Sequence, residues 1–227
     1  METAKTDRCN AMEQILEIIE RLLGENGCPW DRKQTPESVQ TYLVEESHEA
    51  AAAIRAGSPQ EVAEELGDVL FMVFFLARLY EGRGDFGLED VCGLICEKMV
   101  RRHPHVFGDT RVASTKEVKE NWEKIKACEK KTAGKTADPV PESLPALMRA
   151  YRVLSRLSPD EGARWSGLPE QVREFARESA ALEESLQGEG QGFEDALGGL
   201  FARLVNIARL KGRRAEDLLH DFLRKLA

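Results

Sequence analysis

The segment from Ser58 to Glu81 constrains this chain more than any other. It opens with Ser58-Pro59-Gln60-Glu61, which pairs a helix-capping serine with proline at the first helical position and a glutamate placed to complete a capping box. From Val69 to Ala77 it is apolar without interruption. A helix that is apolar almost all round must be buried on several sides. Nine residues fall well short of the roughly 20 needed to span a bilayer. One four-helix layer does not readily supply that burial, so the segment suggests an oligomer.

Helical signals extend over the rest of the sequence. Met12, Ile15, Leu16, Ile19, Leu22 and Leu23 form an amphipathic stripe that stops at Gly24. Thr35-Pro36-Glu37 reads as a cap, a first helical position and an acidic first turn of a helix running to about Arg55 and ending at Gly57. Further helices are predicted over Leu88 to Arg102 and from Ser114 to near Lys131. Residues 132–142 read as a linker. Helical periodicity resumes at Leu144, with breaks at Ser158 to Pro169 and Gly188 to Gly192. No segment shows sustained alternation of period two, so the predicted class is all-α.

The two sides of the linker echo each other. Leu66-Gly67 through Ala77-Arg78 matches Leu197-Gly198 through Ala208-Arg209 at the same spacing. Downstream, Glu89-Asp90 answers Glu216-Asp217, and Lys98 answers Lys225. The order of these matches predicts a duplicated helical unit, with one domain at 1–131 and a second at 143–227.

Several carboxylates fit poorly with solvated helix faces. At about 100° per residue, Val39, Leu43, Ala50 and Ile54 form the apolar stripe of the second helix. Glu46 lies within that stripe, Glu49 at its edge and Glu45 further toward solvent. On the next helix, Val62, Leu66, Val69 and Val73 make one apolar face, while Asp68 shares another with Met72, Phe75 and Leu79; Glu65 falls between them. A carboxylate at such a position is costly unless it is paired or metal-bound. Glu46 and Glu49 are three apart, as are Glu65 and Asp68, so each pair projects from one side of its helix. Two facing helices would gather four carboxylates into an all-oxygen nest suited to Mg²⁺, with Mn²⁺ as a possible substitute. Glu45 and His48 also form one ExxH pair, but a di-iron bundle needs two such units and no second copy exists.

Charge and cysteine content narrow the classes further. The net charge of -8 argues against a coat that binds nucleic acid by neutralising phosphates. The start of the chain has no apolar signal core, so the predicted location is the cytoplasm, away from membranes. Cys9, Cys28, Cys92, Cys96 and Cys128 form no paired framework and are read as reduced thiols packed like small hydrophobes.

Glu45-Glu46-Ser47-His48-Glu49 followed by Glu65-Leu66-Gly67-Asp68 resembles the EExxE…ExxD signature of the all-α nucleotide pyrophosphohydrolases. Gly27 to Thr35, Arg101 to Gly108 and Asn121 to Lys126 resemble further motifs of their MazG branch. Together these cover roughly residues 10–130 in order. The resemblance implies two tandem MazG-like helical repeats, with a four-helix-bundle core completed by dimerisation. It also implies Mg²⁺-dependent hydrolysis of nucleoside triphosphates to monophosphate and pyrophosphate in a homodimer. By resemblance, Glu46, Glu49, Glu65 and Asp68 hold the metal and Glu45 assists the attacking water. Lys98 and Arg102 face the phosphates, while Trp122 and Lys126 contact the nucleotide. Trp30 reads equally as a loop anchor or a wall for the base, and Trp122 equally as a core aromatic. A narrower nucleotide hydrolase of the same superfamily remains open.

The second repeat departs from the signature. Ala196 stands where Glu65 does and Gly199 where Asp68 does; Arg177, Glu178 and Ala181 stand for Glu45, Glu46 and Glu49. Residues 143–227 are therefore expected not to bind Mg²⁺ in this way and to serve packing or regulation. A non-catalytic helical dimer that senses nucleotides or scaffolds a partner is the reading from another class.

Overall fold

The computed structural model describes residues 2–132, 140–187 and 192–226. These contain eleven α-helices and no strand. The chain separates into two compact units, residues 1–129 and 130–227. Within the stretch read as a linker, residues 133–139 lie outside the described residues.

In the first unit, α1 (Glu2–Leu23) runs into a loop carrying a 3₁₀ turn at Asp31–Lys33. The loop folds back tightly on the end of α1: Gly27 N–H donates to Gly24 O and Cys28 N–H to Leu22 O. A side chain at Gly27 would put its Cβ 2.2 Å from Leu22 O, so only glycine fits there. Then come α2 (Pro36–Ala56), α3 (Pro59–Gly82), α4 (Leu88–Arg102), the single turn α5 (Pro104–Phe107) and α6 (Thr115–Thr132).

Caps fix the α2–α3 hairpin. Thr35 and Ser38 exchange bonds in a complete capping box at the start of α2. Gly57 ends that helix in the left-handed conformation, at φ 85°. Ser58 caps α3 by accepting from Glu61 N–H. The reciprocal bond expected from sequence, from Ser58 N–H to the Glu61 carboxylate, does not form. Arg83, just past α3, grips Glu37 in the first turn of α2 with two bonds of 3.1 and 2.9 Å. That pair holds the Glu37 carboxyl at about 2, far below its ordinary 4.5.

The core of this unit is Ile19, Val39, Phe74 and Phe75, with Ile15, Leu16, Phe71, Met72 and Leu79 packed around it. Both α1 and α2 lie against α3, and α4, the next helix in the chain, also contacts it. The apolar helix read from Val69 onward is thus covered mainly by α1 and α2. Other positions expected inside stay out: Ile54 is 60% exposed and Leu66 is 51% exposed. Helix α4 buries no residue, and Leu94, Ile95 and Val100 are exposed on it. Cys92 and Cys96 are exposed thiols on the same helix, contrary to their expected packing as small hydrophobes.

The second unit comprises α7 (Ala146–Leu154), the short α8 (Pro159–Ala163), α9 (Leu168–Gln187), α10 (Phe193–Leu210) and α11 (Ala215–Leu223). Its main contact pairs α9 with α10, and α7 and α11 both lie against α10. Within the first unit, α2 and α3 pair in the same manner, flanked by α1 and α4. No helix among the described residues is long and apolar enough to cross a membrane.

Candidate metal and nucleotide site

The α2–α3 hairpin carries the carboxylates. Glu46 and Glu65 are half-buried, and Glu49 is exposed beside them. One oxygen from each of Glu46, Glu49 and Glu65 lies within 4.8 Å of the others. Asp68 is exposed and stands outside that tight trio, yet close enough to act on both half-buried acids. Glu45 is exposed on the neighbouring α2 position.

The electrostatics are those of a site lacking positive charge. Desolvation raises the Glu46 carboxyl above its ordinary value, and the charges of Asp68, Glu49 and Glu65 push the same way. Glu65 is raised chiefly by desolvation, then by Glu49 and Asp68. Mutual repulsion of this kind is relieved by a cation or by a proton. The donor set is entirely carboxylate oxygen, which fits a hard divalent ion.

Near this stripe, Trp30 packs edge-on against Tyr42, with ring centroids 5.9 Å apart, while remaining 56% exposed. Tyr42 lies one turn before Glu46 on α2, so the indole borders the carboxylate face. Trp30 is thereby both a loop anchor and an open aromatic surface. Tyr42 was not singled out from sequence, although its spacing from Glu46 and Glu49 puts all three on one face.

The basic candidates divide. Lys98 is exposed on α4 and forms no ion pair among the described residues. Arg102, four residues on, is gathered with Trp122 and Lys126: its guanidinium carbon lies 5.5 Å from the Trp122 ring centroid, and Lys126 Nζ lies 5.1 Å from it. Trp122 is half-buried, with both cations over its ring. Arg102 also donates to Glu129 at 2.6 Å, and Arg101 donates to the same carboxylate at 2.6 Å. Sequence reasoning missed Glu129, which lies 27 residues from Arg102 and is paired with it only by the fold.

The second unit contains a different construction. Arg203 of α10 is 2% exposed and donates to Glu178 of α9 and to Gln171 Oε1 at 2.7 Å. It lies 4.5 Å over the Trp165 ring. Gln171 and Asn206 are fully buried, and Asn206 donates to Trp165 O at 2.8 Å and Gln171 Oε1 at 3.0 Å. No buried polar side-chain atom among the described residues lacks a partner. A protein guanidinium thus neutralises the carboxylate that the sequence alignment sets opposite Glu46.

An all-α hairpin that gathers carboxylate oxygens from two adjacent helices defines a helical protein with a candidate metal site. The MazG nucleotide pyrophosphohydrolase domain matches residues 34–107, the stretch that contains the nest. The chain is 37% identical over 216 residues to the nucleoside triphosphate pyrophosphohydrolase of Escherichia coli K12, covering 92% of this chain and 82% of that one. It is also 37% identical over 217 residues to the nucleoside triphosphate pyrophosphohydrolase/pyrophosphatase MazG of Thermotoga maritima, covering 94% and 81%. A nucleoside triphosphate pyrophosphohydrolase of Mycolicibacterium smegmatis is 33% identical over 200 residues, covering 84% and 58%. The chain belongs to the MazG nucleotide pyrophosphohydrolase family.

Proposed function

We propose that residues 1–131 hydrolyse nucleoside triphosphates to nucleoside monophosphate and pyrophosphate, using Mg²⁺ held by Glu46, Glu49, Glu65 and Asp68. The observation that carries this reading is the carboxylate trio within 4.8 Å, on the stretch that matches the family domain. Mn²⁺, another hard cation, would be accepted by the same oxygens. Bound there, the ion supplies charge neutralisation for the triphosphate and polarises water.

The chain's own groups do the rest. Glu45, exposed next to the nest, takes a proton from the attacking water. The α–β phosphoanhydride bond breaks, and Lys98 and Arg102 meet the charge that collects on the departing pyrophosphate. Trp122 and Lys126 contact the nucleotide, and the open face of Trp30 forms a wall on the α2 side. Exposed apolar side chains on α2, α3 and α4 support a homodimer as the working form. The cytoplasm is the location this reading assigns to the reaction.

For residues 143–227 a second reading is favoured: a degenerate copy that packs or regulates without turnover. The Arg203–Glu178 pair supports it, since an internal cation already meets the carboxylate. Product analysis by phosphorus NMR across the common NTPs and dNTPs tests the whole reading. Monophosphate and pyrophosphate should appear only with Mg²⁺ or Mn²⁺. Glu49→Gln and Asp68→Asn should each abolish turnover, a loss of at least about 100-fold, while helical circular dichroism is retained. Wild-type rates in either variant would refute the site.

A further inference from the structure

Arg101 and Arg102 close α4, and Trp122, Lys126 and Glu129 follow at i, i+4 and i+7 on one face of α6. The two helices meet through these five side chains. Glu129 Oε2 accepts from Arg102 Nη2 at 2.6 Å and from Nε at 3.1 Å, while Oε1 accepts from Arg101 Nε at 2.6 Å. The Arg102 side chain is only 13% exposed, and its guanidinium is fixed between the carboxylate and the indole ring.

We propose that Glu129 is a positioning residue that holds Arg102 against Trp122, so that the arginine is already aimed when it meets the phosphates of a nucleoside triphosphate. The proposal rests on the reading of Arg102 given above.

Donor arithmetic supports it. A guanidinium carries five N–H groups, and Glu129 engages one on Nε and one on Nη2. Among the described residues no other hydrogen bond engages the two N–H groups of Nη1 or the second on Nη2, which leaves them to another anion. Charge arithmetic agrees: Arg101, Arg102 and Lys126 bring three cations to one carboxylate, in a chain whose net charge is -8. Surplus positive charge around an aromatic face complements a flat base with an anionic tail. Holding Arg102 in place before binding removes the ordering cost that a free arginine would incur on meeting phosphate. Glu129 keeps its charge throughout the working range, because Arg102 and Arg101 hold its carboxyl at about 2.

The test is steady-state pyrophosphate release by the full chain at saturating Mg²⁺, for wild type, Glu129→Gln, Arg102→Ala and the double variant. Glu129→Gln should raise KM for ATP about fivefold to tenfold with kcat within about twofold, since the loss is one of preorganisation. The double variant should be no worse than Arg102→Ala alone, because Glu129 acts through that arginine. Normal KM in Glu129→Gln beside an impaired Arg102→Ala overturns the proposal by itself, as do additive effects. Normal KM in both variants removes the assignment of Arg102 beneath it. Should Glu129→Gln lose its helical signal, Glu129→Asp carries the same comparison: an intermediate KM supports the role, and unchanged KM with a lowered Tm overturns it.

Discussion

Glu46 sits where its helix would gain most from an apolar side chain, and its electrostatics carry the consequence. Burial and three neighbouring acids hold its carboxyl above the ordinary range, and Glu65 is raised for similar reasons. A carboxyl whose folded value exceeds its unfolded one contributes stability below the unfolded value and loses it as pH rises through the folded value. At neutral pH the metal-free nest is therefore a net cost to the fold. Excess Mg²⁺ should raise Tm at pH 7.5 and raise it less near pH 5, where protons already relieve the repulsion. Glu46→Gln should raise Tm in EDTA and shrink the response to Mg²⁺. Scanning fluorimetry at the two pH values decides this; an Mg²⁺-independent Tm at pH 7.5 would contradict it. Glu129 and Glu37 work in the opposite sense. Each is lowered from 4.5 to about 2, so each stabilises above about 4.5 and loses that contribution as pH falls toward 2. The sequence made Glu46 legible because a single helical wheel exposes a misplaced acid. It could not reveal that Glu129 binds Arg102, because that pairing depends on where α6 comes to lie.

The α2–α3 hairpin could be read from local chemistry because its punctuation is local. Thr35, Pro36, Gly57, Ser58 and Pro59 each act within one helical turn, and the helices begin and end where they stand. Thr35→Ala should cost about 1 kcal/mol, the usual value of a side-chain N-cap. The effect on function should exceed that on stability, since α2 carries Glu46 and Glu49; chemical denaturation beside Mg²⁺ titration would show the difference. Other elements escaped local reading. The short α5 and α8 both start at proline and fall within a predicted boundary or break, too brief for periodicity to register. The polar cluster joining α9 and α10 was equally hidden. Arg203, Gln171 and Asn206 are residue types ordinarily found outside, and their burial depends on bonds between positions up to 41 residues apart. Arg203→Met should destabilise its unit by about 3–5 kcal/mol, the range for stripping one partner from a buried pair. Added Mg²⁺ should not restore it, whereas restoration would mean that Glu178 still belongs to a metal site.

At the scale of the molecule, the apolar surface left on the first unit is the outstanding feature. Val44 and Ile54 on α2, Leu66 on α3, and Leu94, Ile95 and Val100 on α4 are all between 46% and 69% exposed. Scattered surface leucines are ordinary, but this many large exposed side chains on α2, α3 and α4 are what the proposed homodimer would cover. Helix α4 makes the case most clearly: it buries nothing in the single chain, yet it carries Lys98 and Arg102. A second copy covering α4 would remove its apolar side chains from water and hold the two cations in place, linking assembly to activity. Light scattering on the eluted full-length chain should give twice the mass of 25.4 kDa. Burying a leucine side chain contributes about 1.5–3 kcal/mol, and a symmetric interface uses each position twice. Leu94→Asp should therefore weaken the dimer by more than about 3 kcal/mol, enough to yield monomer at micromolar concentration. It should also lower pyrophosphate release, because α4 would no longer be held. Monomeric wild type with full activity would separate turnover from assembly and leave these exposed side chains to another partner.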